Sequence, residues 1–275
     1  MQTIEDKYER LKSLIKEKGS IAVAFSGGVD SSFLLKVASD ILGDKVVAAT
    51  ATSPTYPAFE FKEAVNLAKK MNVRHIIFES DELEIPGFSE NSPKRCYFCK
   101  NELFTILKDK ARELGVDHIA DGTNCDDLAD YRPGREAAIE TGVISPLAES
   151  GMGKGDIRIL SKRLGLPTWN KPAFACLSSR FPYGTEITAD RVRMIETCED
   201  LLRGLSFKQF RVRYHGNVAR IEVDEGDINR LLSGAVRKTI AHEFKKAGFK
   251  YISVDIEGYR TGSMNEAITE KSRSN

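Results

Sequence analysis

No stretch of this sequence approaches the roughly 18 apolar residues that a membrane-spanning helix requires. Its opening segment, MQTIEDKYERLKSLIKEKGS, also lacks the apolar core of a secretory signal. Charge imbalance is missing too. Lys and Arg total 41 against 40 Asp and Glu, a formal net charge of +1, which offers no bulk attraction to nucleic acid or to an anionic membrane. Cysteine is scarce: five in 275 residues, an odd number that argues against a disulfide framework. No internal repeat or low-complexity tract is visible apart from a polar tail after about Asn265. These absences lead to the expectation of a soluble, cytoplasmic protein without membrane or nucleic-acid partners. A close cysteine pair in such a protein would serve metal or redox chemistry.

What is present is an alternation. Ile4, Tyr8, Leu11, Leu14 and Ile15 recur at helical spacing, and SIAVAFS then reads as a short buried strand. Phe33, Leu34, Val37, Ala38, Ile41 and Leu42 mark one face of the next helix. The pattern continues with KVVAATA as strand, Phe61 to Met71 as helix, VRHIIFES as strand, Leu103 to Leu114 as helix and DHIADG as strand. Apolar strands alternating with helices predict an α/β fold, a parallel sheet covered on both faces with its site at the carboxyl ends of the strands. The character changes near Trp169, so the expected domains are 1–168 and a smaller α+β domain at 169–275. The second begins with a loop, NKPAFACLSSRFPYGTEI, and a helix from about Thr188 to Arg203. KQFRVRYHG and NVARIEVD follow as a hairpin turning at His215-Gly216-Asn217, and KYISVDIEG as a last strand.

The most informative segment is AFSGGVDSS, Ala24 to Ser32, between the first strand and the first covering helix. Gly27 and Gly28 let the backbone turn N–H groups onto an anion, and Ser26, Ser31 and Ser32 add hydroxyls at a helix N-terminus. The lysine of the G-x-x-x-x-G-K-[ST] loop is missing, and Asp30 would repel phosphate unless Mg²⁺ bridges them. A capped strand-to-helix turn would suit a lone S-G-G; seven residues, SGGVDSS, in this setting are more specific. They resemble the PP-loop ATP pyrophosphatases, which cleave ATP between the α and β phosphates, adenylate a substrate oxygen and let a nucleophile displace AMP. The resemblance implies that Ala24, Ser26, Gly27, Gly28, Asp30, Ser31 and Ser32 form the ATP and Mg²⁺ site. It also implies that ATATSP, which includes Ala51, lines the adenine side, and that DGTN, which includes Gly122, closes the site.

SSRFPYG, DYRPG at Asp130 to Gly134 and RVRYHGNVARIE at Arg211 to Glu222 resemble the LarE family over nearly the whole chain. That family converts pyridinium-3,5-biscarboxylic acid mononucleotide to its thiocarboxylate forms, a step toward the nickel-pincer cofactor of lactate racemase. The resemblance implies adenylation of the substrate carboxylate, then sulfur transfer, in a homo-oligomer. In members with a lone cysteine at the position of Cys176 that residue is itself the sulfur donor and becomes dehydroalanine. By carry-over Cys176 is the sulfur-site residue, with Arg180 beside it to favour a thiolate. A small buried residue is the ordinary alternative for Cys176. Arg211 and Arg213 are candidates for the mononucleotide phosphate, with a solvated strand face as the alternative. Asp127, Asp130 and Arg132 follow the fourth strand, where the carboxylates would hold Mg²⁺, anchor Arg132 and Arg180, or cap a turn. Glu222 is a metal or substrate contact or an exposed strand residue.

KRCYFCK, with Cys96 and Cys99 ahead of the Leu103 helix, departs from the lone-cysteine pattern. Three readings compete. A zinc site would need Cys125 or Cys198 to complete it, and Cys198 falls on an apolar helix face. A redox disulfide has no thioredoxin-like context. A [4Fe–4S] cluster on Cys96, Cys99 and Cys176 would leave one iron open for sulfide, a pattern resembling the cluster-dependent tRNA thiolation enzymes of the superfamily. Three functions follow: a sulfurtransferase using ATP, Mg²⁺, a cluster and a sulfide donor; a tRNA thiolation enzyme, which the balanced charge disfavours; and a non-catalytic nucleotide-binding or zinc-stabilised assembly protein.

Overall fold

Thr3 and Asp6 start the first helix, α1 (Ile4–Lys18), by capping each other reciprocally. Thr3 Oγ1 accepts from the Asp6 N–H, and the Asp6 carboxylate accepts from the Thr3 N–H. The computed structural model describes residues 2–129, 133–172 and 175–260. The chain divides into two compact units: Met1–Phe88 with Pro93–Phe174, and Ser89–Ser92 with Ala175–Asn275.

The first unit continues through β1 (Ile21–Ala24), α2 (Val29–Leu42), β2 (Val46–Thr52), α3 (Ala58–Lys70) and β3 (Arg74–Glu79). It then adds α4 (Arg95–Glu113), β4 (His118–Ala120), α5 (Pro133–Thr141), α6 (Pro146–Glu149) and α7 (Lys154–Arg163). Its four strands form a parallel sheet in the order β3-β2-β1-β4. Side chains alternate across it, as the strand pleat requires. Ile21 and Val23 join Leu11, Phe33 and Ile157 in the core on one face, while Ala22 joins Phe104, Leu107 and Ile119 on the other. Phe33 and Phe104, fully buried on opposite faces, each contribute about 1.5–3 kcal/mol. Parallel pairing brings the carboxyl ends of β2, β1 and β4 to one edge, where the phosphate loop emerges.

One helix differs from expectation. α4 starts at Arg95, not Leu103, so Cys96 and Cys99 lie in its first two turns rather than ahead of it. The apolar periodicity hides this, because Tyr97 and Phe98 do not join the stripe facing the sheet. Tyr97 bonds Glu140 of α5 at 2.6 Å, and the Phe98 ring lies over Gly87. Among the described residues no helix is long and apolar enough to cross a membrane.

The second unit holds α8 (Ala189–Gly204), β5 (Phe210–His215), β6 (Val218–Val223), α9 (Ile228–Leu231), α10 (Gly234–Lys246) and β7 (Tyr251–Val254). β5 and β6 pair as the expected hairpin, and β7 joins β6 in parallel. Thr188 caps α8 through its hydroxyl. Ser89–Ser92 hydrogen-bonds with this unit: the buried Asn91 side chain donates to the Phe181 and Pro182 carbonyls, and Ile187 N–H donates to the Ser89 carbonyl. Cys198 is buried with Ile195 and Leu202 on α8, and burial pushes its thiol far above the ordinary cysteine range.

Candidate active site

β1 hands the chain to α2 through a tight turn. Thr50 Oγ1 donates to the Phe25 carbonyl at 2.7 Å and so fixes the end of the strand. Gly27 then adopts φ +65°, and an added Cβ would stand 3.0 Å from both Cα and Cβ of Ala64 on α3. Gly28 is the N-cap of α2 and has no side chain to fill the cap. The Ser26 and Ser31 hydroxyls lie 3.1 Å apart, and the Gly28 N–H points at Ser26 Oγ at 3.4 Å. Ser32 Oγ is buried without a hydrogen-bond partner. The turn is a ring of N–H and O–H donors around a helix N-terminus, the arrangement that binds phosphate. Asp30 sits in the first turn of α2. Gly27→Ala is expected to cost about 1–2 kcal/mol of stability for the left-handed backbone and to weaken nucleotide binding. Thermal melting with and without ATP checks it.

DGTN packs onto this turn. A Cβ on Gly122 would stand 3.0 Å from the Ser31 nitrogen, tighter than an ordinary contact, so any larger residue would have to push the two segments apart. Ala24 and Ala51 are half-buried against the α4 side of the sheet. Asn124, fully buried, accepts the Asp126 and Asp127 N–H groups on Oδ1 while its Nδ2 has no partner. Asp127 is buried, 3.1 Å from Lys154 Nζ, and accepts the Asn124 N–H. It caps this turn, and Arg180 is anchored elsewhere, on Glu199. Asp130 and Arg132 lie outside the described residues.

Cys96 is exposed and Cys99 half-buried in the first two turns of α4, flanked by Lys94, Arg95 and Lys100. Thiols one turn apart at a helix N-terminus among cations suit thiolate ligands. Among the described residues, no group of three or more His, Cys, Asp and Glu side chains is assembled for a metal. Cys125, half-buried, donates to the Ala148 carbonyl.

In the second unit Cys176 is exposed at the head of a short 3₁₀ turn, Leu177–Arg180, and its Sγ lies 2.8 Å from the hydroxyl of fully buried Ser178. Arg180 was expected as a cation aimed at the thiol, and the structure corrects this. It is 0% exposed, with Nε and Nη2 on the two oxygens of Glu199 at 2.8 and 2.9 Å. Its Nη1 donates to the Ala175 and Cys176 carbonyls and to Ser179 Oγ. Arg180 therefore positions the backbone that carries Cys176. Glu199, which sequence reasoning missed, also accepts the Val212 N–H at 3.0 Å. A carboxylate beside Cys198 on an apolar helix face was the available signal, since a buried charge requires a partner.

The solvated-face alternative for the hairpin arginines fails, because Arg211 and Arg213 are each 5% exposed. Arg213 bonds Glu222 at 2.7 Å and the Ser179 carbonyl at 3.0 Å, and fully buried Glu222 also receives Arg220 at 3.0 Å. Glu222 is thus not an exposed strand residue; it is the carboxylate between two guanidiniums. Arg211 lies 5.0 Å over the Tyr259 ring and donates to the Phe210 carbonyl. Burial, then neighbouring Arg180, lower its pKa to about 10, so it stays charged at neutral pH.

A parallel α/β sheet with a donor-lined S-G-G-x-D-S-S turn at its carboxyl edge defines a PP-loop ATP-using enzyme. No family model matches the chain. It is 42% identical over 267 residues to an uncharacterized protein of Synechocystis, covering 97% of this chain and all of the relative. It is 37% identical over 271 residues to the pyridinium-3,5-bisthiocarboxylic acid mononucleotide synthase of Lactiplantibacillus plantarum, covering 98% of each. One polypeptide of the glutamine-hydrolyzing GMP synthase of Thermoplasma volcanium is 24% identical over 188 residues, 62% of this chain and 60% of the relative. The chain belongs to the LarE family of ATP-dependent sulfurtransferases.

Proposed function

We propose that this chain adenylates a carboxylate of pyridinium-3,5-biscarboxylic acid mononucleotide and exchanges a carboxylate oxygen for sulfur, on the route to the nickel-pincer cofactor of lactate racemase. The turn Ser26–Ser32 carries the reading: an anion nest with a left-handed glycine, paired hydroxyls and an acidic residue in the first turn of the following helix. The name of the Lactiplantibacillus relative supports the substrate.

A substrate carboxylate oxygen attacks the α-phosphorus of ATP, and pyrophosphate leaves. A sulfur nucleophile then attacks the acyl carbon, and AMP departs with the former carboxylate oxygen. Ser26, Gly27, Gly28, Ser31 and Ser32 bind the pyrophosphate moiety, and Asp30 provides the carboxylate for Mg²⁺. Arg211, buried and charged, takes the substrate phosphate. Cys96, Cys99 and Cys176 would hold a [4Fe–4S] cluster, which when bound supplies an iron with a position open to sulfide. Ser178 and Arg180 hold Cys176 in place.

Purified anaerobically, the protein should release pyrophosphate from ATP only when the pyridinium dicarboxylate mononucleotide is added. It should also carry about four iron and four acid-labile sulfide per chain, lost on Cys96→Ala. Pyrophosphate release with tRNA instead of the mononucleotide would overturn the substrate. A second reading rests on the exposed Cys176 Sγ: the sulfur passes to the acyl carbon, and loss of the Cα proton breaks Cβ–Sγ to leave dehydroalanine. Iron-free protein that turns over once and ends lighter by one H₂S would establish it over the cluster.

A further inference from the structure

The phosphate loop has no lysine of its own, yet one reaches it from the end of the first unit. Lys171 Nζ donates to the Gly27 carbonyl at 3.2 Å and to Glu60 of α3 at 2.5 Å, and lies 2.9 Å from Glu63. The Lys171 side chain is 15% exposed and that of Glu60 5%. The backbone behind the lysine is clamped. Arg158 of α7 donates to the Trp169 and Lys171 carbonyls, both at 3.0 Å, and the Lys171 N–H donates to the Thr168 carbonyl at 2.9 Å. The Lys162 ammonium sits 4.7 Å over the Trp169 ring. A strap fastened to α7 thus sends one ammonium to the loop.

The contact matters because of the peptide it touches. The Gly27 carbonyl and the Gly28 N–H belong to the same planar unit, so a cation on the oxygen fixes the direction of the N–H and increases its polarity. Tyr56 does the same one peptide earlier: its hydroxyl donates to the Ser26 carbonyl at 2.9 Å, and that peptide carries the Gly27 N–H. Two successive carbonyls are thus engaged by donors, which orients their N–H groups; that of Gly28 makes only a long 3.4 Å contact with Ser26 Oγ, which an anion can displace. Glu60 and Glu63 hold the ammonium on the carbonyl side, so it serves the phosphates through the backbone and not as a direct ligand.

We propose that Lys171 is a positioning residue for the nucleotide phosphates, acting through the Gly27–Gly28 peptide from a strap held by Arg158. The inference rests on reading the loop as an ATP site. Calorimetric titration with α,β-methylene-ATP and, separately, with adenosine tests it on wild type, Lys171→Met, Lys171→Arg and the double variant Lys171→Met/Glu60→Gln. The double variant removes both buried charges and stays informative if Lys171→Met fails to fold.

Both methionine variants should bind the triphosphate about tenfold more weakly and adenosine as wild type does, with arginine restoring most of the loss. Wild type that does not bind the triphosphate would sink the reading of the loop. Wild type that binds it while the double variant binds equally well would sink Lys171 alone. Equal weakening toward both ligands would reveal general loosening and overturn the positioning role.

Discussion

Arg180→Met should unfold the second unit at markedly lower denaturant. Arg180 is 0% exposed, and its guanidinium spans both oxygens of a Glu199 whose side chain is 2% exposed, so solvent does not screen the pair. Removing one partner leaves Glu199 as a buried charge, which costs about 3–5 kcal/mol, a large share of the roughly 5–15 kcal/mol that holds a domain together. Arg180→Met/Glu199→Gln should recover much of that loss, because the destabilisation comes from the orphaned charge more than from the lost attraction. Urea denaturation followed by circular dichroism measures both. A single variant within about 1 kcal/mol of wild type would show that the pair is not buried in solution as described. Sulfur transfer should fall in the double variant even where stability returns, because the Ala175 and Cys176 carbonyls lose the donor that holds them.

Asp30→Asn should reduce pyrophosphate release by at least about 100-fold while leaving the fold intact. Asp30 lies in the first turn of α2, where the helix dipole favours its charge, so structure alone would keep an acidic group there. A carboxylate beside a phosphate nest repels the ligand unless a divalent cation joins them, and asparagine keeps the shape while weakening cation binding. The expected signature is a large loss of turnover that raised Mg²⁺ partly restores. Pyrophosphate release at the wild-type rate would remove Asp30 from the site.

Much of the first unit is legible in the sequence because its forces are local. Ile21 and Val23 on one face and Ala22 on the other follow from the strand period, and Gly27-Gly28 before a helix announces the turn whatever surrounds it. α4 is less legible. Its first turns spend Tyr97 and Phe98 on α5 and on Gly87, contacts that have no period along the chain. Arg180 was read as a cation for the Cys176 thiolate and Arg213 as one for the substrate phosphate, because a sequence shows charge without depth. Burial converts them into the counter-ions of Glu199 and Glu222.

By itself the sequence determined the parallel sheet, the phosphate turn and the thiols on offer, since propensity, periodicity and the chemistry of glycine and cysteine act over a few neighbouring residues. Only the tertiary structure decided which charges face inward. It also decided that Gly27 is held by Lys171, a residue far along the chain. Desolvation and hydrogen-bond partnership depend on which distant segments fold together, and neither has a signature in sequence spacing.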